Sequence, residues 1–248
     1  MHVLPRIPDW VFEVIIVDGL SEDATVRVAR EIRPGVRVIF VDTPGKGAAM
    51  RAGFAAANGD IVVCIDADGS TDPVEIPAFV GHLVAGADVA VGTRFAPGGG
   101  SADMEWYRRA GNWGLTRMVR FVFGARYSDL CYGYVAFWRE VLPLIDGEFT
   151  GFEVETVLHI RALRAGLRVA EVPSFEEQRI WGTSNLHTVR DGFRVLAAIK
   201  REWSLARHEL AAPDTAELRA RRSERRYGRV PWTDEREPAS AALKEIST

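Results

Sequence analysis

The stretch "GDIVVCIDADGSTDP" (residues 59–73) runs five apolar residues, Ile61 to Ile65, into two aspartates one residue apart, then breaks into Gly, Ser, Thr, Asp and Pro. An apolar run closed by turn formers reads as a buried strand. In parallel α/β sheets ligands gather at the C-terminal ends of strands, which is where Asp66 and Asp68 fall. Two carboxylates this close repel each other unless a cation lies between them. Hard oxygen ligands suit Mg²⁺ or Mn²⁺, ions that keep waters and also take phosphate oxygens. The alternative is that both aspartates begin a turn and cap the helix near Pro73. The pair by itself leaves the two readings open.

Working outward, "EVIIVDG" (13–19), "VRVIFVD" (36–42) and "ADVAVGTRF" (87–95) are further strands. Between them lie a helix with Ser21 as N-cap and Glu22 and Asp23 in its first turn, a helix from Lys46 to Ala57, and a helix from about Pro73 to Ala85. The β-α-β-α-β-α-β order implies a mainly parallel, helix-covered sheet. Asp18 and Asp42 also end strands, so all four aspartates are expected on one edge. Lys46, between two glycines in "TPGKGAAMRAGF" (43–54), stands at a helix start, where its ammonium and free backbone N–H groups can meet an anion. A turn with a solvated lysine is the alternative. The stretch lacks the Gly-x4-Gly-Lys-Ser/Thr pattern of a P-loop.

The second half is less regular. "PGGGSAD" (97–103) reads as a flexible loop, 105–123 and 151–166 as helices, "LRVAEVP" (167–173) as a strand, and 188–207 as a helix. Beyond Pro213 the chain becomes charge-dense and poor in aliphatic residues. This divides it into a domain over 1–212 and a mobile tail over 213–248, whose Arg cluster is either solvated or in contact with acidic lipid or RNA. A net charge of −3 gives no reason to expect nucleic acid as a partner. Cys64 and Cys131 form neither a disulfide framework nor a metal-type pair, which fits a reducing compartment. No apolar run approaches the roughly 18–20 residues that span a bilayer, and the first residues lack a signal-peptide layout. The expectation is a cytoplasmic protein, with peripheral membrane contact allowed.

"VDGLSEDAT" (17–25), "GKGAAMRAGF" (45–54), the opening stretch and "VGTRF" (91–95) resemble, in order and spacing, the inverting family-2-type glycosyltransferases of GT-A fold. "DLCYGYVAFWREVL" (129–142) and "EVPSFEEQRIWGTSNL" (171–186) narrow the resemblance to polyprenyl-phosphate sugar synthases such as dolichol-phosphate mannose synthase. It covers roughly residues 3–200. The resemblance implies an α/β GT-A nucleotide-sugar-binding fold and a DxD motif at Asp66 and Asp68. Asp18 would contact the nucleoside and Lys46 would lie beside it. Asp66 would bind ribose or the metal's water shell, and Asp68 the Mg²⁺ or Mn²⁺ that bridges the diphosphate. Asp129 would lie near donor sugar and acceptor, Arg179 and Ser184 would contact phosphate groups, and Arg94 would sit near the diphosphate or the acceptor phosphate. Glu155 falls at a family acidic position, with a packing role as the alternative; paired with His159 one turn on, it is expected to be structural.

The chain also departs from that pattern. It opens with "HVLPRIPDWVFEV" (2–14), which looks like the end of a first helix running into a second strand; the family's central first strand and its "P-x-x-N-E" segment are absent, leaving an open apolar slot. Gly19, Ser70 and Asn185 replace a second Asp, a Gln and a Lys of the family pattern. The helix at 105–123 mixes Trp106, Tyr107, Trp113 and Phe121 with arginines, as interfacial helices do; a core-packing helix with snorkelling arginines is the alternative. The implied reaction moves a hexose from a nucleotide diphosphate sugar, of GDP-mannose or UDP-glucose type, to polyprenyl phosphate. The other readings are a soluble glycan or small-molecule acceptor, and a non-catalytic nucleotide-binding remnant.

Overall fold

Short apolar runs between helices of one-sided apolarity can bury themselves only by stacking as a sheet with helices against it. The computed structural model describes residues 2–147, 149–180, 187–208 and 215–228. The chain divides into two compact units, 1–213 and 214–248. In the first, β1 (Ile15–Asp18) and β2 (Arg37–Phe40) pair in parallel, flanked in sequence by α1 (Thr25–Ile32) and α2 (Lys46–Ala56). A four-stranded sheet follows, built from β3 (Ile61–Cys64), β4 (Val89–Thr93), β6 (Val135–Trp138) and β7 (Val169–Pro173), in the order β3-β6-β4-β7. β4 and β7 are parallel, whereas β6 runs antiparallel between β3 and β4.

Among the described residues no strand pairs with the second edge of β1 or of β3. The segment before β1 makes a single 3-10 turn, Leu4–Arg6, instead of the expected helix end. Some of its apolar residues join the core, while Trp10 and Phe12 are exposed. Ile7 is buried with Ile76, Phe79 and Tyr134, and Val3, Leu4, Val11, Val14, Ile61 and Val63 pack against the same cluster.

The remaining helices are α3 (Ile76–Val84), α4 (Trp106–Phe123), α5 (Leu142–Ile145), α6 (Val154–Arg164) and α7 (Thr188–His208). Phe137 of β6 is fully buried and meets Phe54 of α2 edge-on at 5.1 Å, so a side chain worth about 1.5–3 kcal/mol of burial ties sheet to helix. α6 is enclosed on nearly every side, which places Glu155 and His159 inside the protein. Two details differ from expectation. Ser21 does not cap α1: its N–H and hydroxyl both donate to Asp18, and Asp23 accepts the Thr25 N–H instead, so the helix starts later. The loop at 97–103 is tied down, because β5 (Gly100–Ser101) pairs with β8 (Phe175–Glu176). Within the stretch expected to be a tail, α8 (Thr215–Gly228) is helical, with Glu217 in its first turn, where a carboxylate suits the helix dipole.

Candidate active site

The turn after β3 rules out the helix-capping part of the turn reading. Asp72, not Asp66 or Asp68, caps the following helix by accepting the Val74 N–H at 2.9 Å. Asp68 uses Oδ1 within its own turn, where it accepts from the Ser70 N–H and hydroxyl at 3.0 and 2.7 Å. Its Oδ2 lies 3.2 Å from the Arg179 guanidinium, which also reaches Asp103 at 3.5 Å. Arg179 is held there by backbone: Glu177 N–H donates to Ser70 O and Ile180 N–H to Asp68 O.

Asp66 turns the other way. Lys46 Nζ stands 2.8 Å from its Oδ1 and 2.7 Å from Oε1 of Glu155. Burial alone lowers the affinity of the Lys46 ammonium for its proton, but the Asp66 and Glu155 carboxylates outweigh that and raise its pKa above the usual lysine value. Each aspartate therefore has a protein cation beside it. Two glycines make the room. A side chain at Gly45, whose φ is +121°, would place Cβ 2.0 Å from the Thr150 carbonyl oxygen. At Gly133 a Cβ would lie 2.6 Å from Lys46 Nζ and 2.9 Å from an Asp66 oxygen. The Gly47 and Ala48 N–H groups both donate to Thr150 O, so two of the backbone donors expected to be free for an anion are taken.

A second cluster lies at the other end of the "DLCYG" segment that carries Gly133. Asp129 is buried, and every partner of its carboxylate is a donor. Oδ2 accepts from Arg94 Nε at 2.7 Å, and Oδ1 accepts from Arg94 Nη2 at 2.9 Å and from Asn112 at 2.7 Å. Burial pushes the carboxyl pKa up, but the Arg94 guanidinium and the Asn112 amide outweigh it and hold it below its ordinary value. Arg94 is buried as well: it also donates to Glu176 at 3.0 Å and to Cys131 O at 3.1 Å, and it stands 4.8 Å over the Tyr132 ring. Glu176 in turn accepts from Ser101, which ties the 97–103 loop to the network.

Asp18 is buried at the end of β1 with both oxygens on Ser21, and the exposed Asp42 accepts from its neighbour Thr43. Ser184 and Asn185 lie outside the described residues. His159 contacts the Glu155 backbone oxygen through Nδ1 at 2.6 Å, and its buried Nε2 has no partner among the described residues. Sequence reasoning did not single out Asp103, Asn112, Gly133 or Glu176; Gly133 and Glu176 lie within quoted motifs without standing out in them, and Asp103 and Asn112 come from the loop at 97–103 and the helix at 105–123.

As for a metal, Asp66 and Asp68 present part-exposed hard oxygens on one turn. Among the described residues no group of three or more His, Cys, Asp or Glu is arranged to hold an ion without help. An ion held by these two carboxylates would take its remaining ligands from water and diphosphate oxygens.

The family model described as Glycosyl transferase family 2 matches residues 6–144. The chain belongs to that family. A dolichyl-phosphate hexose transferase of Haloferax volcanii is 38% identical over 172 residues, covering 68% of this chain and 72% of that protein. A polyprenol monophosphomannose synthase of Mycolicibacterium smegmatis is 32% identical over 196 residues, 75% of this chain and 72% of that one. Among solved structures, glucosyl-3-phosphoglycerate synthase from Mycobacterium tuberculosis, in complex with Mn²⁺, UDP and glucosyl-3-phosphoglycerate, superposes with a TM-score of 0.62 at 26% identity, over 82% of this chain and 73% of that one. This family-2 glycosyltransferase has the GT-A-like fold of those neighbours. No helix among the described residues is long and apolar enough to cross a membrane.

Proposed function

We propose that this family-2 glycosyltransferase moves a hexose from a nucleotide diphosphate sugar to a polyprenyl phosphate by inverting displacement, with Mg²⁺ or Mn²⁺ as cofactor. The observation that carries the donor side is the paired arrangement at the strand end, Lys46 beside Asp66 and Arg179 beside Asp68. A leaving nucleoside diphosphate gains negative charge, and cations fixed where that charge develops lower the barrier. Asp66 and Asp68 are assigned to the metal, which when bound neutralises diphosphate oxygens. Lys46 and Arg179 are assigned to the diphosphate, Asp18 to the nucleoside, and Ser184 to a phosphate group. Residues 1–212 are assigned as the catalytic domain.

The acceptor assignment is supported by the relatives named for dolichyl-phosphate and polyprenol substrates. A phosphate acceptor is already anionic at neutral pH and needs no general base. That suits Asp129, whose lone pairs are taken up by donors and whose carboxylate is held ionised. Asp129 and Arg94 are therefore assigned to shaping the floor of the site, not to accepting a proton. The site would work from the cytoplasmic face of a membrane.

The test is transfer of labelled hexose from GDP-mannose and UDP-glucose, with Mn²⁺, to a short-chain polyprenyl phosphate, to phosphoglycerate and to free sugars. Label in the lipid phosphate, lost in Asp68→Ala, is the expected result. Label only in a soluble acceptor would overturn the acceptor assignment.

A further inference from the structure

α4 has two faces of different character. Asn112, Thr116 and Val119 are buried against the protein, and Asn112 holds Asp129 from there. On the outward side Trp106, Ala110, Trp113, Gly114, Arg117 and Phe121 follow one another at i, i+4, i+7, i+8, i+11 and i+15, a single stripe of an α-helix. This stripe should be polar if it met only water. Instead Trp106 is 80% exposed, Trp113 66% and Phe121 90%. By the same helical geometry, the exposed Tyr107 and Met118 flank one side of the stripe, and Arg109 and Arg120 flank the other. Lone exposed apolar residues are ordinary; three exposed aromatic rings aligned on one stripe of an 18-residue helix mark a contact surface.

The charge of the helix identifies what it meets. Trp106–Phe123 contains four arginines and no aspartate or glutamate, in a chain whose net charge is −3. Arg108 turns toward Asp103 and Arg109 stands over the Phe95 ring, leaving Arg117 and Arg120 on the outer side, with Arg117 over the Trp113 ring. A second copy of the chain docking symmetrically through this face would bring arginines against arginines. An anionic bilayer offers both partners at once: headgroups for the cations and the acyl boundary for the rings.

We infer that the outward face of α4 is a docking surface for an anionic lipid bilayer, on which the helix lies flat and holds the Asp129 end of the site at the membrane. The inference builds on the lipid-phosphate acceptor proposed above, and its test separates the two.

The full chain is sedimented with vesicles of phosphatidylcholine alone and of phosphatidylcholine mixed with phosphatidylglycerol, at low and high salt. Binding is expected to the mixed vesicles and to weaken with salt. Trp113→Gln with Phe121→Gln should weaken it by at least about tenfold, given the burial lost by two large rings. Arg117→Gln and Arg120→Gln should each weaken it roughly fivefold, as befits a cation near an anionic surface. All variants should keep the parent melting temperature and the parent transfer rate to a water-soluble short-chain acceptor, which shows that they fold. Equal binding to neutral vesicles, binding unmoved by these changes, or a self-association that the same changes abolish while vesicles are ignored would each overturn the inference. Vesicle binding without transfer to any polyprenyl phosphate would leave the docking surface standing and remove the acceptor reading.

Discussion

Asp129→Asn is a near-isosteric change that separates a structural anchor from a proton acceptor. The carboxylate meets Arg94 through two side-chain bonds of 2.7 and 2.9 Å, the Asn112 amide at 2.7 Å and the Cys131 N–H at 3.2 Å. All are donors, so an amide NH₂ placed on either side must face another N–H. The change also removes the charge that compensates buried Arg94, leaving Glu176 as that cation's remaining carboxylate partner. Breaking a buried pair costs about 3–5 kcal/mol, a large share of the roughly 5–15 kcal/mol that holds a domain together. For a chain of this size that is a fall in melting temperature on the order of 10 °C. Because the folded carboxyl pKa is depressed, its contribution is present above the unfolded value of about 3.9 and is lost as pH falls through the folded pKa. The stability gap between parent and variant should therefore be flat from neutral pH down to about pH 4 and narrow below it. Urea unfolding at several pH values checks this. A variant as stable as the parent at neutral pH, or a gap that widens in acid, would refute the reasoning.

Further outcomes follow from the same geometry. Lys46→Met leaves Glu155 buried without its cation and should cost about 3 kcal/mol, part of which Glu155→Gln restores in the double variant; a strictly additive pair of losses would contradict the coupling. His159 is held below its ordinary pKa by burial, despite its contact with Glu155 O. The unfolded chain therefore takes the proton first, and stability should decline as pH falls below about 6.5, a slope that His159→Gln removes in thermal melts. Burial pushes the Cys64 and Cys131 thiols up to about 12, so neither should react with iodoacetamide at pH 8 in the folded chain, whereas both should react in urea. Labelling of the native protein read by mass spectrometry decides that.

Elements whose apolar pattern is local were legible in the sequence: β1 to β4 and the long helices. β6 was not, because "VAFW" enters the sheet antiparallel between strands that precede it by tens of residues, and nothing in a four-residue apolar run states its direction. The tethered loop at 97–103 shows the same limit. Its glycines read as freedom, while the Ser101–Glu176 bond that fixes it joins positions far apart in sequence. The aspartates of the β3 turn stood out by their position at a strand tip. What each one pairs with did not, since Lys46, Glu155 and Arg179 arrive from three different segments. The helix-start N–H groups near Lys46 looked free for an anion because the Thr150 carbonyl that takes two of them lies about a hundred residues away.

The most direct measurement is calorimetric titration of UDP, GDP and their sugar conjugates into the chain, with and without Mn²⁺, alongside Asp68→Ala. The account predicts that one nucleotide binds only with Mn²⁺ present, and that this binding disappears in Asp68→Ala while that variant still unfolds cooperatively, since it loses only a part-exposed pair with Arg179 and two bonds from Ser70, each contributing about 1 kcal/mol or less. Binding that ignores Mn²⁺, or that survives in Asp68→Ala, would contradict the assignment of this turn to the metal and the diphosphate.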